Sequence, residues 1–183
     1  MKLKELTYEI EIPEKVDINV DKFLVSVKGE KGENSRTFHY PSIKILQKEN
    51  KITLSAKNAT KKEKTMMGTY RAHIRNLIKG VDKGFTYKVK VCSGHFPINL
   101  TTEDNTIIIN NFLGEKIPRK AKILPGVTTK IEGEIISLDG TDKESVSQSS
   151  ANIELATRIT KRDKRVFQDG CYIISKDGKE IKW

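Results

Sequence analysis

Thr60-Lys61-Lys62-Glu63-Lys64-Thr65-Met66-Met67-Gly68-Thr69-Tyr70-Arg71-Ala72-His73-Ile74-Arg75-Asn76-Leu77-Ile78-Lys79-Gly80-Val81 is the stretch whose reading decides the fold. Met67, Tyr70, Ile74, Leu77, Ile78 and Val81 recur at helical spacing, which makes one face of a helix apolar. Thr60 and Glu63 have the T-x-x-E form of a capping box, whose hydroxyl and carboxylate satisfy backbone donors left open by the first turn. Gly80 and Gly84 are the expected stops. A second run of similar shape extends from Thr141 to Thr160. Thr141 and Glu144 repeat the box, and Val146, Ser149, Ile153, Ala156 and Thr160 form a weaker apolar stripe. Two helices opened in the same way imply a duplicated unit.

Short strands surround the first helix. Tyr8, Ile10 and Ile12 alternate with Glu9 and Glu11 up to Pro13. Val16, Ile18 and Val20 alternate with polar residues, and Phe23, Val25 and Val27 continue a period of two. Gly29-Glu30-Lys31-Gly32 reads as a turn, after which Arg36 to Tyr40 is extended. Ile43 and Ile45 lead through the hairpin-type turn Gln47-Lys48-Glu49-Asn50 to Ile52 and Leu54. An antiparallel sheet with one polar face supplies the surface that the helix covers.

The second half repeats this order. Tyr87, Val89 and Val91 alternate with lysines, Asn99–Thr101 is extended and Ile107–Ile109 is a strand. Gly114-Glu115-Lys116 answers Gly29-Glu30-Lys31, Pro125 answers Pro41, and Ile136-Ser137-Leu138 answers Ile52-Thr53-Leu54, at an offset of about 84 residues. Ala151-Asn152-Ile153 answers Ala72-His73-Ile74 after a small slip. Only the second half adds a tail, with a basic stretch, Phe167-Gln168-Asp169-Gly170 and a strand from Cys171 to Ile174 before Gly178. The expected fold class is α+β, with two tandem duplicated domains at residues 1–82 and 83–183, each an antiparallel sheet on one main helix.

The 183 residues are 36% hydrophobic and 32% charged, with 34 Lys+Arg against 24 Asp+Glu, a net charge of +10. That excess attracts polyanions such as nucleic acid or an anionic membrane. Cys92 and Cys171 lie far apart with His39, His73 and His95 scattered, so they read as small buried hydrophobes in a reducing compartment and not as a zinc site. Charged residues follow Met1 at once and no run of about 18 apolar residues occurs, so a soluble cytosolic protein is expected.

Signatures of catalysis are poor: there is no G-x-S-x-G, H-E-x-x-H, Walker loop or Rossmann glycine pattern. Cys92-Ser93-Gly94-His95 sets a thiol beside an imidazole, but a turn holding a buried cysteine is the simpler reading, because nucleophile and base usually meet through space. Glu103 and Asp104 are adjacent carboxylates in a turn with nothing to make them share a proton. No cofactor, metal or small-molecule substrate is implied.

The basic clusters carry more information. Lys64, Arg71, Arg75 and Lys79 line the polar side of the first helix, where a solvated face is sufficient explanation. Lys116, Arg119, Lys120 and Lys122 crowd a loop and strand start; Arg158, Lys161, Arg162, Lys164 and Arg165 follow the second helix; Lys176, Lys179 and Lys182 line the tail that ends in Trp183. Basic loops on a rigid sheet suit phosphate contact, since arginine grips a phosphate with two parallel hydrogen bonds. Phe112, Phe167, Tyr172 and Trp183 are too few for a single-strand stacking ladder, so the array suits folded RNA read by shape and backbone.

Val27-Lys28-Gly29-Glu30-Lys31-Gly32, the run Arg71 to Val81, Gly140-Thr141-Asp142-Lys143, Ser149-Ser150-Ala151-Asn152-Ile153 and Arg165-Val166-Phe167-Gln168-Asp169-Gly170 occur in an order that resembles the L-six family of large-subunit ribosomal proteins, in its archaeal and eukaryotic version. The resemblance runs end to end. It implies binding to large-subunit rRNA, chiefly through the second domain, near the sarcin–ricin loop and the factor-binding region. Neighbouring large-subunit proteins are then partners, translation factors pass nearby, no membrane is involved, and the location is the cytoplasmic ribosome. The implied RNA-facing residues are Lys116, Arg119, Lys120, Lys122, Arg158, Lys161, Arg162, Lys164 and Arg165, with Lys176, Lys179 and Lys182 in the tail and Gly170 allowing close backbone approach or serving as a turn glycine. Two other readings compete with this structural role: a protein-interaction scaffold using sheet edges for strand addition, and an RNA-acting enzyme using Cys92 or His95.

Overall fold

The computed structural model describes residues 3–48 and 50–181, with Leu3 by its backbone alone; Glu49 of the hairpin-type turn, Lys182 and Trp183 lie outside the described residues. The chain divides into two compact units with the break after Gly84.

In unit 1, β1 (Leu3–Glu11), β6 (Lys51–Ala59) and β5 (Ile43–Lys48) form one antiparallel sheet, and β2 (Asp17–Asp21), β3 (Leu24–Gly29) and β4 (Gly32–Thr37) form another. Helix α1 (Lys61–Asp82) packs on β1, β3, β4 and β6. Its buried face is Met67, Tyr70, Ile74, Leu77, Ile78, Gly80 and Val81, set against Ile52, Leu54 and Ala56 of β6 and Val25 and Val27 of β3. Each such aliphatic side chain contributes roughly 1.5–3 kcal/mol on burial.

The α1 capping box is present: the Lys62 N–H donates to Thr60 Oγ1 at 3.3 Å and the Thr60 N–H to Glu63 Oε2 at 2.8 Å. The Thr60 hydroxyl also donates to Glu63. These hydrogen bonds from Thr60 hold the Glu63 carboxyl down at about 2. Of the two expected stops only Gly84 serves. Its φ of 73° puts it in the left-handed region, and its N–H donates to Gly80 O at 3.0 Å, whereas Gly80 is a buried residue inside the helix.

The Gly29–Gly32 turn is as expected, and one reading needs correction. Val16 to Val27 is not one run, because the chain reverses at Lys22-Phe23, where Lys22 has φ 50° and Asp21 pairs with Leu24. The apolar positions switch there from even to odd numbers, which keeps Ile18 opposite Val27 and Val20 opposite Val25. Gly29 is needed for packing: a Cβ there would lie 2.8 Å from the Val81 carbonyl oxygen, which also accepts the Lys31 N–H at 2.9 Å.

Unit 2 repeats the plan. β8 (Asn99–Glu103), β9 (Thr106–Asn110) and β10 (Arg119–Lys122) form a three-stranded sheet. β11 (Val127–Glu132), β12 (Ile135–Gly140) and β7 (Phe85–Cys92) form a second, extended on the β7 side by β13 (Gly170–Lys176) and β14 (Lys179–Glu180). Helix α2 (Lys143–Ala156) packs on β7, β10, β11, β12 and β13. The α+β, duplicated sheet-and-helix expectation is borne out, with the strands of each unit split between two sheets. α2 starts one residue later than its T-x-x-E pattern indicates. Asp142, not Thr141, is the cap, accepting from the N–H groups of Glu144 at 3.2 Å and Ser145 at 3.0 Å. A carboxylate serves both donors and adds a negative charge favoured at a helix N-terminus. Thr160 lies beyond the helix and is exposed.

Candidate nucleic-acid interface

Three connections of unit 2 meet around the basic clusters: residues 93–98 after β7, 111–118 between β9 and β10, and 157–169 between α2 and β13. Arg119 holds two of them together. Its Nε and Nη2 donate to Glu115 at 2.8 and 2.6 Å, and Nη1 donates to the carbonyls of Ala156 at 2.9 Å and Arg158 at 3.3 Å. The guanidinium also lies 4.2 Å from the centre of the buried Phe112 ring. Hydrogen bonding to Arg119 holds the Glu115 carboxyl below the usual range, and Arg162 adds an attraction, placing the post-helix segment within electrostatic reach of this loop. Asn152 makes a further tie, donating to the Lys122 carbonyl at 2.8 Å.

Lys120 and Lys122 project from β10 to solvent while Ala121 between them is buried, the expected alternation of a half-buried strand. Lys116 is exposed in the loop before them. Arg158, Lys161, Arg162, Lys164 and Arg165 are all exposed. Arg165 donates to Asp163 at 2.8 Å, but its side chain is 90% exposed, so the pair is open to exchange for an external anion. Hydrogen bonds from Arg165 hold the Asp163 carboxyl below its ordinary value.

The third connection is tied in by a pair far apart in sequence. Asp169, only 2% exposed, accepts the Gly94 N–H at 2.6 Å and the His95 N–H at 2.9 Å, and His95 Nδ1–H donates to it at 2.6 Å. Burial pushes the Asp169 carboxyl up, but the hydrogen bonds from His95 and Gly94 outweigh it and hold the group below its ordinary value. The His95 ring stacks on Phe167 with centroids 4.7 Å apart, and the Arg162 guanidinium lies 4.8 Å from the Phe167 ring centre. These contacts give the 157–169 segment a seat on the 93–98 loop.

The remaining expected residues are placed elsewhere. Lys176 and Lys179 pair across the β13–β14 hairpin, at the far end of β13 from Gly170 and about 20 Å away by strand rise. Gly170 is buried, paired with Cys92, and has φ 154°; a Cβ there would meet the Tyr172 ring at 3.2 Å. The group that approaches Gly170 closely is thus this ring. Cys171 is buried, which pushes its thiol up to about 11, whereas Cys92 is half-buried. The first-helix stripe is mixed, with Arg71 half-buried and its guanidinium 5.2 Å from the Tyr8 ring centre. No helix among the described residues is long and apolar enough to cross a membrane.

Sequence reading missed the His95–Asp169 pair and the internal use of Arg119. A signal for the first lay in the flanking residues: of the two acids in the basic segment, Asp163 has Arg162, Lys164 and Arg165 beside it, whereas Asp169 stands between Gln168 and Gly170 with no adjacent cation. Nothing local marks Arg119.

The family model described as Ribosomal protein L6 matches residues 12–84 and 96–170, one match within each unit. The chain is 47% identical over 173 residues to the large ribosomal subunit protein uL6 of Methanococcus vannielii, covering 94% of this chain and 95% of that one. It is 45% identical to the protein of that name from Methanobrevibacter smithii, covering 92% and 95%, and 44% identical to that of Methanosarcina mazei, covering 95% and 99%. With both units matched and the archaeal relatives aligned over almost their whole length, the chain belongs to the ribosomal protein L6 family in its archaeal form, a structural ribosomal protein and not an enzyme.

Proposed function

We propose that the chain is built into the large subunit of the cytoplasmic ribosome by the loop-bearing end of unit 2, which binds large-subunit rRNA near the sarcin–ricin loop and the factor-binding region. The observation that carries this reading is the exposed basic arc of Lys116, Arg158, Lys161, Arg162, Lys164 and Arg165 on loops tied to one another by Arg119 and Asp169, with Lys120 and Lys122 on the adjoining strand β10. Cations on a braced frame contact phosphates with little ordering cost, offsetting the repulsion that keeps RNA helices apart. Arg119 enters as a positioning residue, Gly170 as the residue that makes room for Tyr172, and Lys176, Lys179 and Lys182 as a second, separate contact. Unit 1, whose β1 is an edge strand, faces neighbouring large-subunit proteins, with translation factors passing nearby.

Binding of the full chain to deproteinised large-subunit rRNA over a salt series tests this. Replacing Lys120, Lys122, Lys161 and Arg165 together by Ala should reduce the slope of log affinity against log salt by about 4, one per lost phosphate contact. An unchanged slope and affinity would show that the arc faces away from RNA.

A further inference from the structure

Between the last turn of α2, the post-helix segment and Tyr172 lies a cavity of about 250 Å³ that the basic arc does not account for. Leu155, Ile159 and Tyr172 supply apolar and aromatic surface, Arg158 and Lys164 supply two cations, and Glu154 supplies one carboxylate. Leu155 is 59% exposed at the end of a helix whose other large aliphatics, Val146 and Ile153, are fully buried, so its apolar surface faces the cavity and water. Gly170 matters here too, because its missing Cβ lets the Tyr172 ring sit at 3.2 Å from where that atom would be. The segment carrying Lys164 is seated by the Asp169 and His95 contacts, so one flank of the cavity is braced.

We propose that this cavity receives one unpaired guanine nucleotide, extruded from folded RNA. The proposal rests on the rRNA-binding reading and extends it. A flat base needs apolar and aromatic walls, and one slot suits one base where a ladder would suit a strand. An ionised carboxylate only accepts, so Glu154 selects a base edge that offers donors, and guanine alone places a ring N–H beside an exocyclic amine on one edge. Arg158 and Lys164 then meet the phosphate carried by the ribose of that nucleotide. A solvated peptide side chain would use the apolar wall but leave both cations and the carboxylate without matched partners.

The test uses the full chain and nucleoside monophosphates at constant ionic strength, following the methyl resonances of Leu155 and Ile159. GMP should shift them saturably, with UMP at least about fivefold weaker. Tyr172→Leu should cost roughly tenfold in GMP affinity, and Glu154→Gln should narrow the gap between GMP and UMP. Because Tyr172 lies in β13, Leu155→Glu at an exposed position provides a second variant, and it too should weaken GMP. The proposal is overturned if no monophosphate shifts these methyls, if inorganic phosphate reproduces the GMP shifts, or if N-acetyl-leucinamide shifts them and nucleotides do not. Binding of deproteinised rRNA is measured in parallel, where Leu155→Glu should lower affinity more than one added charge explains, with a reduction that persists at high salt. Parent chain that binds GMP but not rRNA sinks the rRNA reading alone; parent chain that binds rRNA but not GMP sinks the pocket alone.

Discussion

Between β3 and β4 the chain turns through two residues, Glu30 and Lys31, while the matching connection between β9 and β10 runs through residues 111–118 and contains a short 3-10 helix, Phe112–Gly114. Both connections do the same structural job. In unit 1 the Lys31 N–H donates to the Val81 carbonyl near the end of α1 at 2.9 Å; in unit 2 the Arg119 guanidinium, at the end of the connection, donates to the Ala156 carbonyl at the end of α2 at 2.9 Å. The longer version does this with a side chain, which leaves room for Lys116 in the loop. The second difference is at the sheet edge: β1 stands at the edge in unit 1, whereas its counterpart β7 is covered by β13. The strand that covers it is preceded by the basic 157–169 segment. The two copies keep one core plan, and most of the exposed cations proposed to meet RNA sit in the longer connection and the added 157–169 segment of the second, with Lys120 and Lys122 on the shared strand β10.

That contrast breaks most directly on RNA binding. Replacing Lys64, Arg75 and Lys79 of α1 by Ala should change the salt slope for rRNA by less than about 1, against about 4 for the unit 2 quadruple variant. Equal effects would mean that both units face RNA.

The shared core plan gives the next largest effects. A Cβ at Gly29 would lie 2.8 Å from the Val81 carbonyl oxygen, and one at Gly140 would lie 2.7 Å from Val146 Cγ2 and 2.9 Å from the Gly126 carbonyl oxygen. Gly29→Ala and Gly140→Ala should each cost about 1–3 kcal/mol in urea unfolding, the range for overpacking. Amide exchange should show the loss within the unit that carries the change.

Asp169→Asn sharpens the comparison, because unit 1 has no equivalent segment to seat. It should cost about 1–3 kcal/mol in unit 2, since the Gly94 and His95 backbone N–H groups and the His95 ring then share an uncharged, weaker acceptor. Protection of the amides of Gly94 and His95 in hydrogen exchange should fall, while that of α1 stays unchanged.

The smallest effects are at the helix caps. Thr60→Ala and Asp142→Ala should each cost about 1 kcal/mol in thermal or urea unfolding. The Glu63 carboxyl lies below its ordinary 4.5, at about 2, so its contribution is complete above pH 4.5 and is lost as pH falls from there toward 2. Parent protein should therefore lose unit 1 stability across that window, and Glu63→Gln should flatten the loss.

Much of this fold was legible because its signals are local. The α1 stripe, its cap at Thr60, the β5–β6 pairing and Pro41 and Pro125 two residues ahead of β5 and β11 all depend on neighbours a few positions away. The repeat was legible for the same reason: β5 and β11, like β6 and β12, start 84 residues apart. Where two local options compete, reading fails by a residue or a turn, as at Thr141 against Asp142 and at Lys22-Phe23. For the second, the change of parity between Val20 and Val25 was an available but unused sign of a hairpin.

By itself, then, the sequence determined two amphipathic helices, alternating strands, a duplication, membership of the family, an overall net charge of +10 and a dense basic cluster, Lys161-Arg162-Asp163-Lys164-Arg165, in the second half. It could not say which arginine would turn inward, that Asp169 would hold a loop 74 residues earlier, or that Gly170 would yield its space to Tyr172. Those outcomes depend on which strands become neighbours, above all on β13 pairing with β7, and therefore on the closure of loops across long separations. Periodicity and capping act over a few residues; only the folded chain brings the remaining partners within hydrogen-bonding distance.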